Sequence, residues 1–154
     1  MKTFRPLISL IVILLTQLAW SADTTDTAST PKSDPELTRA RELIGKNDWG
    51  SAVTRLESFT RSNPANADGF NLLGYSYRNL KRYDESLVAY KQALKLEPSH
   101  RGAHEYIGVA YIQMGQLDKA KEHLNALDKI CLFSCEEYRD LKKAYEEALK
   151  SKRN

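Results

Sequence analysis

Cys131 and Cys135 are the residues of this chain whose type and spacing most directly predict chemistry. They are the only cysteines, and three residues separate them. Two thiols this close in sequence can form a disulfide, bind a soft metal ion such as Cu(I), or act as a redox pair. Which of these applies depends on the compartment and on the elements that hold the two residues.

The C-x-x-x-C spacing differs from the C-x-x-C of thioredoxin-like proteins, and no strand pattern indicates a sheet of that kind. A Cu(I) site would use the same two thiolates, with His123 two helical turns earlier as a neighbour. A disulfide between Cys131 and Cys135 is the interpretation we favour. Copper or thiol handling through the same pair remains the alternative.

Two histidines, His100 and His104, have the i, i+4 spacing of ligands on one helix. His100, however, follows Pro98-Ser99 in a predicted turn, and His104 falls on an apolar helix face. We therefore predict packed or surface histidines, no metal site and no cofactor. The seven glycines are scattered rather than grouped in a phosphate-binding loop, and no nucleophile has a histidine and a carboxylate in a defined frame. We predict that the chain is not an enzyme.

The N-terminus predicts the compartment. Residues 1–21 begin with Lys2 and Arg5, continue with an apolar run of about 13 residues from Leu7, and end with Ala19 and Ser21 two apart. This is the pattern of a secretory signal peptide, and the run is short of the ~20 residues that span a bilayer. We expect export, periplasmic or secreted according to the source, with no stable membrane insertion after cleavage. An uncleaved anchor is the alternative.

Residues 22–33 contain serine, threonine and aspartate but no large apolar residue, and we predict a flexible tether. Removal of residues 1–21 would change 23 basic and 20 acidic residues to 21 and 20. A chain so close to neutral has no electrostatic footprint for nucleic acid. An exported compartment is also oxidising, which favours the disulfide.

From Asp34-Pro35, a predicted helix start, the chain repeats with a period of about 34 residues. Small residues and bulky residues recur in separate columns, and apolar residues within each half are three or four apart, as in helices. Short polar turns separate the halves, so each period predicts a helical hairpin that must stack on its neighbours. The columns are Ala40, Gly74 and Gly108; Leu43, Tyr77 and Tyr111; Ala52, Ser86 and Ala120; Trp49, Tyr83 and Leu117; and Leu56, Tyr90 and Leu124.

These columns resemble those of the tetratricopeptide repeat (TPR) family, above all in the stretch from Phe70 to Pro98. The resemblance implies an all-α, right-handed superhelical array within residues 34–134, with three repeats at about 33–66, 67–100 and 101–134. Two departures stand out: Glu36 and Arg39 lie where the family prefers apolar residues, and Leu132 replaces the proline that closes a repeat.

Residues 135–154 predict an amphipathic capping helix and tail. Tyr138, Leu141 and Tyr145 lie on one stripe, and Ser134 with Glu137 has the spacing of a capping box. The cysteines would then join the last repeat to this helix, in place of the missing proline. Closing so short a loop is worth about 2 kcal/mol on the chain-entropy model.

By the resemblance, TPR arrays bind protein segments in a concave groove formed by the first helix of each hairpin. Positions predicted to face that groove are Arg41, Asn71, Tyr75, Arg78, Glu105, Val109 and Gln113. We expect an exported adaptor or assembly factor that binds a protein or peptide, from another cell-envelope protein. A self-associating structural array is a further alternative, and the oligomeric state is left open.

Overall fold

The computed structural model describes residues 34–153 of the chain. The predicted signal peptide (1–21) and tether (22–33) lie outside the described residues. Residues 34–153 form seven α-helices and no β-strand, which confirms the predicted all-α repeat array. The helices are α1 (Pro35–Gly45), α2 (Trp49–Ser62), α3 (Ala67–Asn79), α4 (Tyr83–Leu96), α5 (Arg101–Gln113), α6 (Leu117–Ile130) and α7 (Glu136–Arg153).

Local sequence sets where several helices begin. The Asp34 carboxylate accepts a hydrogen bond of 2.8 Å from the backbone N–H of Glu36, and Pro35 occupies the first helical turn. Asn66 caps α3 in the same way, at 2.8 Å from the N–H of Gly69. These side chains satisfy amide groups that have no partner inside the helix. The predicted start at Asp34-Pro35 is confirmed.

The turn inside each hairpin repeats as closely as the helices do. Asn47, Lys81 and Gly115 occupy the same position in the three repeats and have positive φ values of 58°, 61° and 72°. This left-handed conformation costs an L-residue energy, and among these residues only glycine adopts it freely. The third turn therefore has the least strained residue, whereas the first two use asparagine and lysine in the same geometry.

The column of small residues allows the helices to cross closely. A Cβ atom added to Gly74 would lie 2.6 Å from the Tyr90 ring, and one added to Gly108 would lie 2.6 Å from Leu141. Ser86, in the second small column, donates a hydrogen bond of 2.8 Å to the carbonyl of Gly74. The second hairpin is thus held by a large side chain of α4 that packs on the α3 backbone, and α7 packs on the α5 backbone in the same way.

The capping helix α7 packs on α5 and α6, and its Leu141 is fully buried against Gly108. It begins at Glu136, and the carbonyl of Cys135 accepts the N–H of Arg139 at 3.2 Å. The capping box predicted from Ser134 and Glu137 is wrong, because Cys135 is the residue before the helix and Ser134 has a positive φ of 49°. None of the described helices is long and apolar enough to cross a membrane.

Candidate functional site

Three predicted groove residues, Asn71, Tyr75 and Arg78, lie on one face of α3, and Glu105 faces them from α5. Arg78 is close enough to Glu105 for their charges to interact. The second and third repeats therefore bring four of the seven predicted residues together. The other three lie around them.

An aromatic layer forms the floor of this cluster. The ring centres of Tyr75 and Tyr106 are 4.9 Å apart, and the Trp49 ring meets Tyr75 edge-on at 5.7 Å. The guanidinium of Arg78 lies over both tyrosines, 5.1 Å from the centre of Tyr75 and 5.9 Å from that of Tyr106. Cation–π contacts of this kind hold the arginine in place. The layer spans three repeats, since Trp49, Tyr75 and Tyr106 come from one repeat each.

Trp49 and Tyr106 were not among the predicted site residues. Trp49 belongs to a bulky column that the sequence assigns to the core, and Tyr106 stands at the repeat position that Leu72 fills in the second repeat. The signal for Tyr106 was the change from leucine to an aromatic residue that carries a polar group. Tyr75, predicted to point away from the core, is half-buried and packs against both rings.

Two polar atoms of the cluster have no hydrogen-bond partner among residues 34–153. They are Oδ1 of Asn71 and Nε of Arg78, and both atoms are buried. Gly102 on α5 leaves room for the Asn71 amide, since a Cβ there would come within 3.3 Å of Nδ2. Buried polar atoms are nearly always paired in folded proteins, so each of these two atoms needs a partner such as a water molecule or a ligand group. The buried hydroxyl of Tyr90, which lies close to Arg78, is unpaired as well.

The cluster is also electrically asymmetric. Burial, together with the nearby carboxylates of Asp140 and Glu137 on α7, raises the pKa of Glu105 to about 7 against the opposing effect of Arg78. A carboxyl group that titrates near neutral pH is a frequent feature of binding sites. The side of the cluster next to α7 is thus acidic, and the side on α3 carries the arginine.

The remaining predicted residues lie at the edges. Arg41 is exposed and forms an ion pair of 3.7 Å with Asp68, whose other oxygen lies 3.2 Å from Nε2 of His100. Val109 is half-buried on α5, and Gln113 is exposed at the last residue of that helix. Arg41 lies on α1, and Val109 and Gln113 lie on α5, so the three extend the predicted set onto the repeats on either side of α3.

The two cysteines are joined by a disulfide, with their Cα atoms 5.5 Å apart. Cys131 follows the last residue of α6, and Cys135 precedes the first residue of α7. The bond therefore spans the connection between the last repeat and the capping helix. His123 does not face the cysteines: its Nδ1 lies 3.1 Å from Nδ1 of His104.

His100 and His104 do not converge on a common point. Nδ1 of His100 accepts the N–H of Ala103 as the helix cap, whereas Nε2 of His104 lies 2.9 Å from the carbonyl of Pro98. Within residues 34–153, no group of three or more histidine, cysteine or acidic residues is placed to hold a metal ion. His100 thus caps α5, and His104 is buried in the third hairpin.

The repeats match known proteins directly. The tetratricopeptide repeat family model matches residues 67–100, and a second model of the same repeat matches residues 107–132. The chain contains tetratricopeptide repeats. Both matches fall on the hairpins that carry Asn71, Tyr75, Arg78 and Glu105.

Among solved structures, the TPR2B-domain:pHsp70 complex of yeast Sti1 aligns with a TM-score of 0.70 at 19% identity, over 75% of this chain and 94% of that one. The first TPR of Spaghetti (RPAP3) bound to HSP90 peptide SRMEEVD aligns with a TM-score of 0.66 at 17% identity, over 75% and 90%. At these identities the likeness shows the fold, which is that of a TPR domain.

Two curated relatives are much longer than this chain. The peroxisomal targeting signal receptor of Saccharomyces cerevisiae is 32% identical over 93 residues, which is 59% of this chain and 15% of the receptor. The human protein O-mannosyl-transferase TMTC3 is 30% identical over 87 residues, or 56% of this chain and 10% of the transferase. The chain thus spans about a sixth or less of these relatives.

Proposed function

We propose that the chain is a TPR adaptor or assembly factor that binds an extended segment of a protein partner in its concave groove. The observation that carries the proposal is the pair of unpaired buried atoms, Asn71 Oδ1 and Arg78 Nε, set beside the exposed edges of the aromatic layer. An extended segment offers N–H and C=O groups in alternation, and it can satisfy one acceptor and one donor with a few residues.

The relatives support a role in protein recognition. One is by name a receptor for a targeting signal, one structure holds pHsp70, and another holds a peptide with the sequence SRMEEVD. None of these names transfers a ligand to this chain. The mixed charge of the groove instead favours a segment with a basic residue toward Glu105, Glu137 and Asp140.

We further propose that the chain is exported and that its partner is a cell-envelope protein. The support is the pattern of residues 1–21 and the disulfide at the end of the array, since disulfides persist mainly in oxidising compartments. Intact-mass measurement on protein from the native compartment should show the loss of about 21 residues, the length expected of a signal peptide. A full-length species held in the membrane would contradict cleavage.

Site-specific photo-crosslinking in the native cell tests the groove proposal. A photoreactive residue at Val109, at the edge of the groove, should crosslink to a partner segment. The same residue at Lys91, on the exposed surface of α4, is the matched control and should give little or none of that product. Equal crosslinking from both positions would place the partner elsewhere.

A further inference from the structure

The outer side of the second repeat carries an apolar hollow. It has a volume of about 570 Å³ and is lined by Phe70, Leu73 and Tyr77 of α3 and by Val88 and Ala89 of α4. Val88 is 70% exposed, so the hollow is open to solvent beside it. These residues lie on a different face of α3 from Asn71, Tyr75 and Arg78, so the hollow is separate from the groove.

Polar pairs fill the same repeat positions in the other two hairpins. Glu36 and Arg55 form an ion pair in the first repeat, and His104 and His123 approach to 3.1 Å in the third. The second repeat has Phe70 and Ala89 at these positions. Because alanine is much smaller than arginine or histidine, the space above Phe70 stays open. Open apolar surface of this kind favours occupation by an apolar side chain.

An apolar projection stands at the other end of the array. Leu132 and Phe133 are 88% and 95% exposed, and the disulfide between Cys131 and Cys135 closes a five-residue ring around them. Arg139 donates a hydrogen bond of 2.9 Å to the carbonyl of Ser134 and so braces the base of the ring. A leucine–phenylalanine tip held in this way loses little conformational freedom on binding.

We propose that the Leu132–Phe133 tip of one molecule docks into the hollow of a second copy of this chain. One chain carries both halves of the contact. At the rim of the hollow Glu85 pairs with Arg82, which leaves Asp84 as the acidic group. Arg139 is fixed at the base of the tip, so Asp84 and Arg139 have complementary charges. A pocket of this volume is within the range of about 300–1,000 Å³ that accommodates small ligands, and a phenyl ring with part of a leucine fits it.

The hollow lies on the second repeat and the tip follows α6 at the end of the third, so the two are different surfaces of the molecule. The contact is therefore between different surfaces of two molecules. Such head-to-tail contacts propagate into open chains or close into rings, in contrast to a dimer made of two identical surfaces. Because a two-residue tip buries a small area, we expect weak, concentration-dependent association.

Sedimentation velocity on residues 22–154 tests the proposal. This fragment contains the whole stack of seven packed helices and omits the apolar run from Leu7, which would associate by itself. Association should weaken at least tenfold in Leu132→Ser/Phe133→Ser, and likewise in Val88→Glu, which blocks the hollow. Thr54→Glu is the matched control for Val88→Glu, because Thr54 fills on α2 the repeat position that Val88 fills on α4, and it should behave as wild type.

The decisive step mixes the two defective variants. Val88→Glu keeps an intact tip and Leu132→Ser/Phe133→Ser keeps an intact hollow, so the mixture should form a one-to-one dimer that grows no further. Unchanged circular dichroism in both variants would show that the fold is kept. A wild-type monomer at about 0.5 mM, where even weak interfaces associate, would overturn the proposal. So would a mixture that stays monomeric, or a tip that binds lipid vesicles while the wild type shows no self-association.

Discussion

Nδ1 of His104 and Nδ1 of His123 lie 3.1 Å apart, a hydrogen bond between two imidazole rings of α5 and α6. Nε2 of His104 faces the carbonyl of Pro98 at 2.9 Å, so this nitrogen carries a proton. In the neutral ring its Nδ1 is then the acceptor, and His123 donates through Nδ1–H. A proton added at Nδ1 of His104 would place two donors against each other, whereas a proton added to His123 would go to its Nε2 and leave this bond in place.

This relationship predicts acid sensitivity of the third repeat. Burial, with smaller contributions from His104 and Lys91, lowers the pKa of His123 from 6.5 to about 4. The unfolded chain therefore binds a proton near pH 6.5 that the folded chain does not bind until about pH 4. The stability that this group contributes is fully present above pH 6.5 and is lost as the pH falls toward 4. The loss in the free energy of unfolding is on the order of 2 kcal/mol after allowance for the partial exposure of the ring.

The second repeat offers the control. His104→Phe/His123→Ala installs the Phe70 and Ala89 pair of that repeat at the equivalent positions. Urea unfolding at pH 7 and at pH 4.5 should show a larger loss of stability in the wild type than in this variant. Parallel losses in the two proteins would contradict the acid sensitivity assigned to the histidine pair.

Glu105 predicts a pH dependence of the opposite sign. Its pKa in the folded chain is about 7, above the ordinary 4.5, so its charged form opposes folding. The contribution is absent below about pH 4.5 and destabilises the fold increasingly as the pH rises through 7. Glu105→Gln should therefore raise stability at pH 8 by about 1 kcal/mol and change it little at pH 5.

Thermal unfolding at the two pH values measures this effect, with Glu146→Gln on the exposed face of α7 as control. The control substitution should leave the midpoint of unfolding unchanged at both pH values. If Glu105→Gln also left stability unchanged at pH 8, the Glu105 carboxylate would be better solvated than its position in the groove implies.

Gly108 predicts how strongly the capping helix is coupled to the repeats. Gly108→Ala places a methyl group 2.6 Å from the Leu141 side chain, so Leu141 must repack or α7 must shift, at a cost of about 1–3 kcal/mol. Gly50→Ala is the matched control, because nothing lies within 4 Å of a Cβ on this α2 residue. It should stabilise the protein by roughly 0.5–1 kcal/mol through better helix propensity. If chemical denaturation showed equal changes in stability for Gly108→Ala and Gly50→Ala, α7 would not pack tightly on α5.

Removal of the disulfide should have a moderate effect on stability. Cys131→Ser/Cys135→Ser should lower stability by roughly 1–3 kcal/mol, which loop closure and local packing allow. Helical content should be retained, because the repeat columns and not the disulfide carry the fold. Native protein should be two hydrogens lighter than reduced protein by mass. Free thiols in native protein, or Cu(I) bound at one equivalent after reduction, would favour the copper alternative instead.

The sequence predicted the fold because its information is local and periodic. Columns such as Ala40, Gly74 and Gly108 recur once in every repeat, and caps such as Asp34 mark helix starts within one turn. What a helical period cannot predict is contact between repeats, which depends on how the hairpins stack. The rings of Trp49 and Tyr106 meet Tyr75 from two neighbouring repeats, and for this reason neither was placed in the groove.

Two other features depend on contacts in three dimensions, which the local spacing of residues does not show. Ser134 has the spacing of a helix cap, but the disulfide ring draws the chain into a positive φ there, and the helix begins after Cys135. The His104–His123 pair joins residues 19 apart on two helices. A comparison of equivalent repeat positions would have indicated it, because Glu36 and Arg55 form a complementary pair at the same two positions.

The central claim is tested most directly by calorimetry. A free peptide of the partner segment that crosslinking identifies is titrated into wild type, Arg78→Ala and Tyr75→Ala. Both side chains are half-buried against Tyr106, so each variant is first checked by thermal unfolding and titrated well below its midpoint. The groove predicts that each substitution weakens binding at least tenfold, about 1.4 kcal/mol, whereas Lys91→Ala on the outer surface leaves it unchanged. Wild-type affinity in both groove variants would contradict recognition through Asn71, Tyr75 and Arg78.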